Sequence, residues 1–206
     1  MMKEFFIERR PHNGMTYEDY LEYMKSLIEI APELKDRKAI ERHRYLTNNY
    51  RISLKIEENY TVSDNLKKII EAITEPQLWM VLTEPWCGDS AQCLPYIAKF
   101  ARCNSYIDLR ILLRNKNLDI MDQYLTEGKR SIPKLVTFDQ EGNELFQWGP
   151  RPQGAANLFK KDRKAGLSKD AIMEKLHLWY ARFNSEVMEK EFEQLLRESV
   201  QTPTKI

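Results

Sequence analysis

The chain has 206 residues, of which 42% are hydrophobic and 31% are charged, enough apolar material for the core of one domain. Its 32 basic and 31 acidic side chains nearly cancel, which excludes the concentrated positive charge expected of a nucleic-acid-binding protein. No apolar run reaches the roughly 18 residues needed to span a bilayer, and the N-terminus has no signal-peptide core. We therefore expect a cytoplasmic protein that binds neither nucleic acid nor membrane.

The first third of the chain predicts helices. Residues 1–15 are expected to form an irregular arm, and apolar residues at helical spacing predict an amphipathic helix over residues 17–30. Pro32 suits the first turn of a second helix, and Ser63 can cap a third. Residues 1–75 are thus interpreted as a helical extension packed on the core.

From residue 76 the pattern changes to short apolar runs that alternate with helical segments. Strands are predicted at residues 78–82, 107–113, 134–138 and 144–148, and helices at residues 88–103, 118–124, 153–165 and from Ser168 onward. This order predicts a parallel strand–helix–strand unit followed by an antiparallel hairpin. The core domain is accordingly assigned to residues 76–165, and residues 166–206 to a C-terminal helical extension.

Cys87 stands where a buried strand gives way to a helix, within the sequence Glu-Pro-Trp-Cys-Gly-Asp-Ser. Unpaired N–H groups and the helix dipole at such an N-terminus favour negative charge and therefore the thiolate, which is the nucleophilic form of cysteine. Trp86 is expected to shield one side of the sulfur. The position predicts an activated nucleophile.

Several positions around this motif resemble the thioredoxin superfamily. Trp86-Cys87-Gly88 is similar to the thioredoxin active-site motif, and Pro95 matches the proline that kinks the active-site helix. Ile132-Pro133 resembles the segment whose cis proline faces the cysteine, and Gly149 matches the glycine after the last strand. The resemblance implies an α/β fold with a βαβαββα core, a mixed four-stranded sheet and extra helices at both ends, as in a bacterial group of thioredoxin family proteins.

The resemblance also implies how substrate binds. A cis proline exposes the backbone of the preceding residue, here Ile132, so that an extended substrate can pair beside Cys87. A proline that only starts a strand is the alternative interpretation of Pro133.

Two departures affect the resolving step of thioredoxin chemistry. The second cysteine of the motif is replaced by Ser90, which can donate a hydrogen bond to a thiolate but cannot form a disulfide. The buried acid that accepts the proton of the resolving thiol falls on Val81. Cys93 is an alternative resolving residue, although six helical residues separate it from Cys87 by about 9 Å of rise, and a core position is the favoured interpretation.

Charged residues near the predicted site provide candidate substrate contacts. Arg114 and Arg151 lie on loops that we expect near Cys87, where either could stabilise the thiolate or bind an anionic group such as a carboxylate of glutathione. Lys134 is expected to be a solvated residue at a strand end.

The three histidines lack metal-ligand spacing, so neither a metal nor a cofactor is expected.

The leading hypothesis is thiol–disulfide exchange through Cys87 alone, with a protein disulfide or a low-molecular-weight thiol as substrate. A redox-inactive module that binds peptide in the same cleft is the alternative, and the helical extensions could supply a homodimer surface. A thiol peroxidase that uses Cys87 and Cys93 is a third hypothesis. An iron–sulfur carrier rests on analogy alone and ranks last.

Overall fold

The computed structural model describes residues 2–32 and 36–201. Four strands are formed by Gln77–Thr83 (β1), Ile107–Leu113 (β2), Lys134–Phe138 (β3) and Glu144–Trp148 (β4). The helices in these ranges are Glu4–Ile7 (α1), Tyr17–Glu29 (α2), Arg37–Asn59 (α3), Asp64–Glu71 (α4), Gly88–Ala101 (α5), Leu118–Met121 (α6), Gln153–Lys164 (α7) and Lys169–Gln201 (α8). None of these helices has the length and apolarity needed to cross a membrane.

The N-terminal segment is more ordered than its sequence indicates. Residues 4–7 form α1, and Met15 exchanges backbone hydrogen bonds with Ile111 of β2. The second long helix begins at Arg37 rather than near Pro32, because the Asp36 carboxylate caps it by accepting the Ala39 N–H at 2.9 Å. Part of the predicted start of this helix, residues 33–35, lies outside the described residues.

The sheet has the strand order β2-β1-β3-β4. Strands β1 and β2 are parallel, whereas β3 is antiparallel to both β1 and β4, which confirms the predicted unit and hairpin. In register, Leu82 near the end of β1 lies beside Lys134 at the start of β3, and Trp148 at the end of β4 lies beside Leu135. The loop after β1, the loop before β3 and the loop after β4 therefore meet at one edge of the sheet.

Helices cover both faces of the sheet. Helices α2, α4, α5 and α8 contribute buried residues to the apolar cluster that contains Trp79, while α1 and α6 pack with Met80 on the other face. Strand β1 is buried on both faces, which explains its continuous apolar run. The terminal helices thus belong to the same packed structure as the sheet.

Phe192 of α8 is fully buried among aromatic side chains of the sheet and of α5. The centroid of its ring lies 4.9 Å from that of Phe100, 5.8 Å from that of Trp148 and 6.0 Å from that of Trp79. Such pairs add to the stabilisation provided by buried apolar area. Helix α8 therefore closes the larger of the two apolar clusters.

Replacing Phe192 with Ala is expected to lower the free energy of unfolding by about 3–5 kcal/mol, because it leaves a cavity among packed rings. Phe183 lies on the same helix but is 40% exposed, so its replacement with Ala is the matched control and should cost about 1 kcal/mol or less. Urea unfolding of both variants measures the difference. Equal losses would contradict an integral role for α8.

Candidate active site

Cys87 is the residue immediately before α5, in extended backbone conformation. Its N–H donates to the Glu84 carbonyl at 3.0 Å, and its own carbonyl accepts the Ala91 N–H at 3.1 Å. These two hydrogen bonds place the sulfur at the open N-terminal turn of α5, as the sequence predicts. Pro95 lies inside the same helix.

The Cys87 sulfur faces the segment that precedes β3. The thiol donates a hydrogen bond to the Ile132 carbonyl at 3.3 Å, and the Ile132–Pro133 peptide bond is cis. Gly149, which follows β4, packs against the Pro133 backbone and has a φ of +111°. A Cβ atom at Gly149 would lie 2.2 Å from the Pro133 carbonyl oxygen, so only glycine fits there. Cys87, Ile132, Pro133 and Gly149 are therefore brought together.

Gly149→Ala is expected to destabilise the protein by about 3 kcal/mol or more, because the methyl group strains the backbone and pushes the Pro133 segment away. Gly166→Ala is the control: its φ is +76°, but nothing lies within 4 Å of the added Cβ. The control should lose only about 1–2 kcal/mol in urea unfolding. A similar loss in both variants would show that the contact with Pro133 is unimportant.

A family model described as Thioredoxin matches residues 34–165. The chain belongs to the thioredoxin family. Among curated proteins, none matches the chain significantly.

Two solved structures share its fold. A protein of unknown function from Pseudomonas aeruginosa is 19% identical, with a TM-score of 0.52 over 89% of this chain and 96% of that one. An HIV epitope-scaffold protein is 18% identical, with a TM-score of 0.54 over 92% of this chain and all of the other. At these identities the likeness establishes the fold alone.

The Cys87 sulfur of this thioredoxin-family chain is largely covered, since Cys87 is only 8% exposed. Burial raises the pKa of its thiol, and the nearby Asp89 carboxylate raises it further. The Ser90 hydroxyl and the N–H groups of Ser90 and Asp89 hydrogen-bond to the sulfur and lower the pKa, but burial outweighs them. The pKa of Cys87 is thus shifted in the direction opposite to the one expected from the helix N-terminus alone.

A buried pair of hydroxyl groups lies next to Cys87. The Ser90 hydroxyl, which lowers the pKa of Cys87, accepts a hydrogen bond from the Thr83 hydroxyl at 2.5 Å. Once the Cys87 thiol is deprotonated, the Ser90 hydroxyl can donate to the thiolate and so support its negative charge.

The alkylation rate of Cys87 is expected to rise with pH around a midpoint above roughly 8.5, the value of a free cysteine. Ser90→Ala should move the midpoint further upward because the thiolate loses a hydrogen bond, and Thr83→Val should move it less. Iodoacetamide kinetics in a Cys103→Ser background, followed by mass spectrometry, measure these midpoints, with Cys87→Ser as the blank. A midpoint below the free value would contradict the effect of burial, and an unchanged midpoint in Ser90→Ala would contradict the role of the hydroxyl.

The other two cysteines lie in different surroundings from Cys87. Cys93 is fully buried in the cluster on the α5 side of the sheet, whereas Cys87 packs with the opposite cluster. Burial raises the pKa of Cys93 well above its ordinary value. Cys103, at the far end of α5, is half-buried and its thiol donates to the Lys99 carbonyl at 3.3 Å.

The two predicted arginines occupy different places. The Arg114 guanidinium lies 5.1 Å from the ring centroid of Trp86, which is 44% exposed, and donates to the Arg130 carbonyl at 3.1 Å. Trp86 and Arg114 thus form an exposed edge of the site, and the indole does not close it. Arg151 instead forms an ion pair with Asp89, which also accepts the Tyr180 hydroxyl at 2.6 Å. Arg151 is therefore engaged with Asp89 rather than with the sulfur.

Lys134 is buried rather than solvated, with 7% of its surface exposed. It is the first residue of β3, a strand whose five residues are all buried. Burial lowers the pKa of its ammonium group, which the Glu144 carboxylate partly offsets. The expectation of a solvated lysine at the strand end was wrong because β3 lies inside the sheet and is buried along its whole length.

Residues outside the motif around Cys87 support the segments on both sides of it, and the sequence analysis did not identify them. The buried Asn49 side chain donates to the Pro85 carbonyl at 3.0 Å, and the Glu84 carboxylate accepts the Asn115 N–H at 2.7 Å. Tyr180 on α8 holds Asp89 from the other side. Polar residues on buried helix faces, such as Asn49, are the only sequence signal that points to these supports.

Proposed function

We propose that this protein carries out thiol–disulfide exchange through the single nucleophile Cys87. The observation that supports the proposal is the position of its sulfur, at the N-terminus of α5 and 3.3 Å from the Ile132 carbonyl beside Pro133. A disulfide substrate would displace the thiol from this carbonyl and bring its own sulfur to the same place. The burial of Cys87 restricts access to extended substrates that fit along the Pro133 segment.

The exchange has two steps. Deprotonated Cys87 attacks one sulfur of the substrate disulfide, and the other sulfur leaves as a thiolate that takes up the proton released from Cys87. An external thiolate then attacks the substrate sulfur of the mixed disulfide, which restores Cys87 and leaves a new disulfide. The Ser90 hydroxyl stabilises the thiolate in the first step and when it leaves in the second.

The mixed disulfide is expected to be long-lived, because Ser90 occupies the place from which a resolving thiol would attack. Treatment with glutathione disulfide should add one glutathionyl group at Cys87 without later loss. In Ser90→Cys the introduced thiol should displace this group and give an internal disulfide, at least tenfold faster than any loss from the parent. Intact mass and peptide mapping in a Cys93→Ser, Cys103→Ser background follow both species, and Cys87→Ser is the control.

Glutathione disulfide treatment of the protein that keeps Ser90 and Cys93, in a Cys103→Ser background, separates the alternatives. Rapid internal disulfide formation in the protein with Ser90 and Cys93 intact would favour the peroxidase-like use of Cys93 over the proposed single-cysteine exchange. A Cys87 that reacts with no disulfide at any pH would exclude exchange.

A second candidate function is peptide binding without redox chemistry. It is favoured by the raised pKa of Cys87 and by the 8% exposure of its side chain, both of which slow attack on a disulfide. Under this alternative the Cys87→Ser variant would bind its partners as well as the parent does. The exchange function requires instead that the variant lose covalent capture.

A further inference from the structure

A cavity of about 620 Å³ lies beside the Pro133 segment. Its walls are the loop over residues 126–131, the turn over residues 149–151 and one face of α7. We call it the basic groove, and the residues that line it are Thr126, Glu127, Lys129, Ser131, Gly149, Pro150, Arg151, Gln153, Ala156, Phe159, Lys160, Arg163 and Lys164. The volume is in the range of ligand-binding pockets.

Positive charge is concentrated in the basic groove, although the chain as a whole carries a net charge of only +1. Of its five cationic side chains, Arg151 pairs with Asp89 and Lys160 pairs with Glu127, the one carboxylate in the lining. Within residues 2–32 and 36–201, no carboxylate lies within ion-pair distance of Lys129, Arg163 or Lys164. The groove therefore keeps an unbalanced positive charge that attracts anions.

The cationic side chains are spread along the groove rather than clustered around one place. Lys160, Arg163 and Lys164 follow the 3.6-residue repeat of α7 and lie on one of its faces, with Lys129 on the facing wall. Apolar groups line the groove between them, including the Phe159 ring, over which Arg151 stacks at 4.5 Å. The buried Nε–H of Arg151 has no hydrogen-bond partner in the described part of the chain. This arrangement suits several carboxylates spaced along a chain better than one compact anion.

The basic groove continues directly from the exchange site. Ser131 lines it and precedes Ile132, whose carbonyl accepts the Cys87 thiol, and Gly149 contacts both the groove and Pro133. An extended chain advances about 3.3 Å per residue. A substrate chain paired beside Ile132 therefore enters the groove within a few residues of its reacting cysteine.

We propose that the basic groove binds an acidic segment that flanks the reactive cysteine of a protein substrate. The inference rests on the proposed exchange function, because it names the substrate class of the same site. Carboxylates of the segment would be matched by Lys129, Arg163 and Lys164, and its aliphatic parts would cover Phe159. The groove thereby selects acidic partners over neutral ones.

The test uses three peptides with one cysteine, each activated as a mixed disulfide with thionitrobenzoate. One has neutral flanks, one has glutamates before the cysteine and one has glutamates after it. One of the two acidic peptides is expected to transfer to Cys87 roughly tenfold faster than the neutral peptide at low salt, and the advantage should shrink as salt rises. Released thionitrobenzoate reports the rate.

The combined variant Lys160→Gln, Arg163→Gln, Lys164→Gln should abolish this advantage while leaving the rate with the neutral peptide unchanged. The matched control is Lys25→Gln, Lys38→Gln, Lys68→Gln, which removes the same charge from exposed positions on α2, α3 and α4 that line no part of the groove. Lys129→Gln tests the facing wall independently. Urea unfolding verifies that each variant folds.

Equal rates for acidic and neutral peptides, or an equal loss in the control, would overturn the groove proposal while leaving thiol exchange intact. Fluorescence anisotropy with a Cys→Ser version of the acidic peptide tests binding apart from chemistry. Groove-dependent binding without reaction at Cys87 would uphold the groove and exclude the exchange function. Displacement of that peptide by inorganic phosphate at constant ionic strength would identify a small-anion site and overturn the proposed segment.

Discussion

The contact between the Cys87 thiol and the Ile132 carbonyl depends on the antiparallel placement of β3 between β1 and β4. Because β3 runs against both neighbours, its start lies beside the end of β1 and the end of β4. This arrangement therefore brings together, at one edge of the sheet, three residues that are far apart in the chain: Cys87, Pro133 and Gly149. Gly149 allows this close approach because a side chain there would collide with the Pro133 carbonyl.

Burial has the largest effect on the pKa of Cys87 at this edge of the sheet. A helix N-terminus stabilises a thiolate, and the N–H groups of Asp89 and Ser90 do lower the pKa of Cys87. The loss of solvation is larger, so the thiol keeps its proton and donates it to the Ile132 carbonyl. A bound substrate sulfur would replace that carbonyl contact.

The helical extensions take part in the site as well as in the core. The Asn49 side chain of α3 donates to the Pro85 carbonyl, and the Tyr180 hydroxyl of α8 donates to Asp89. Asp89 neutralises Arg151, which leaves the cations of α7 to set the charge of the basic groove. The candidate site and the groove thus depend on contacts from both ends of the chain.

The sequence by itself determined the strands, the order of the core and the position of Cys87 before a helix, because hydrophobic period and motif spacing are local properties. Its resemblance to the family also indicated that Ile132, Pro133 and Gly149 would lie near Cys87. Only the tertiary structure decided that the pKa of the Cys87 thiol is raised, that Lys134 is buried and that Arg151 pairs with Asp89. Solvation and ion pairing depend on groups brought from distant parts of the chain, such as Tyr180, and no local pattern records them.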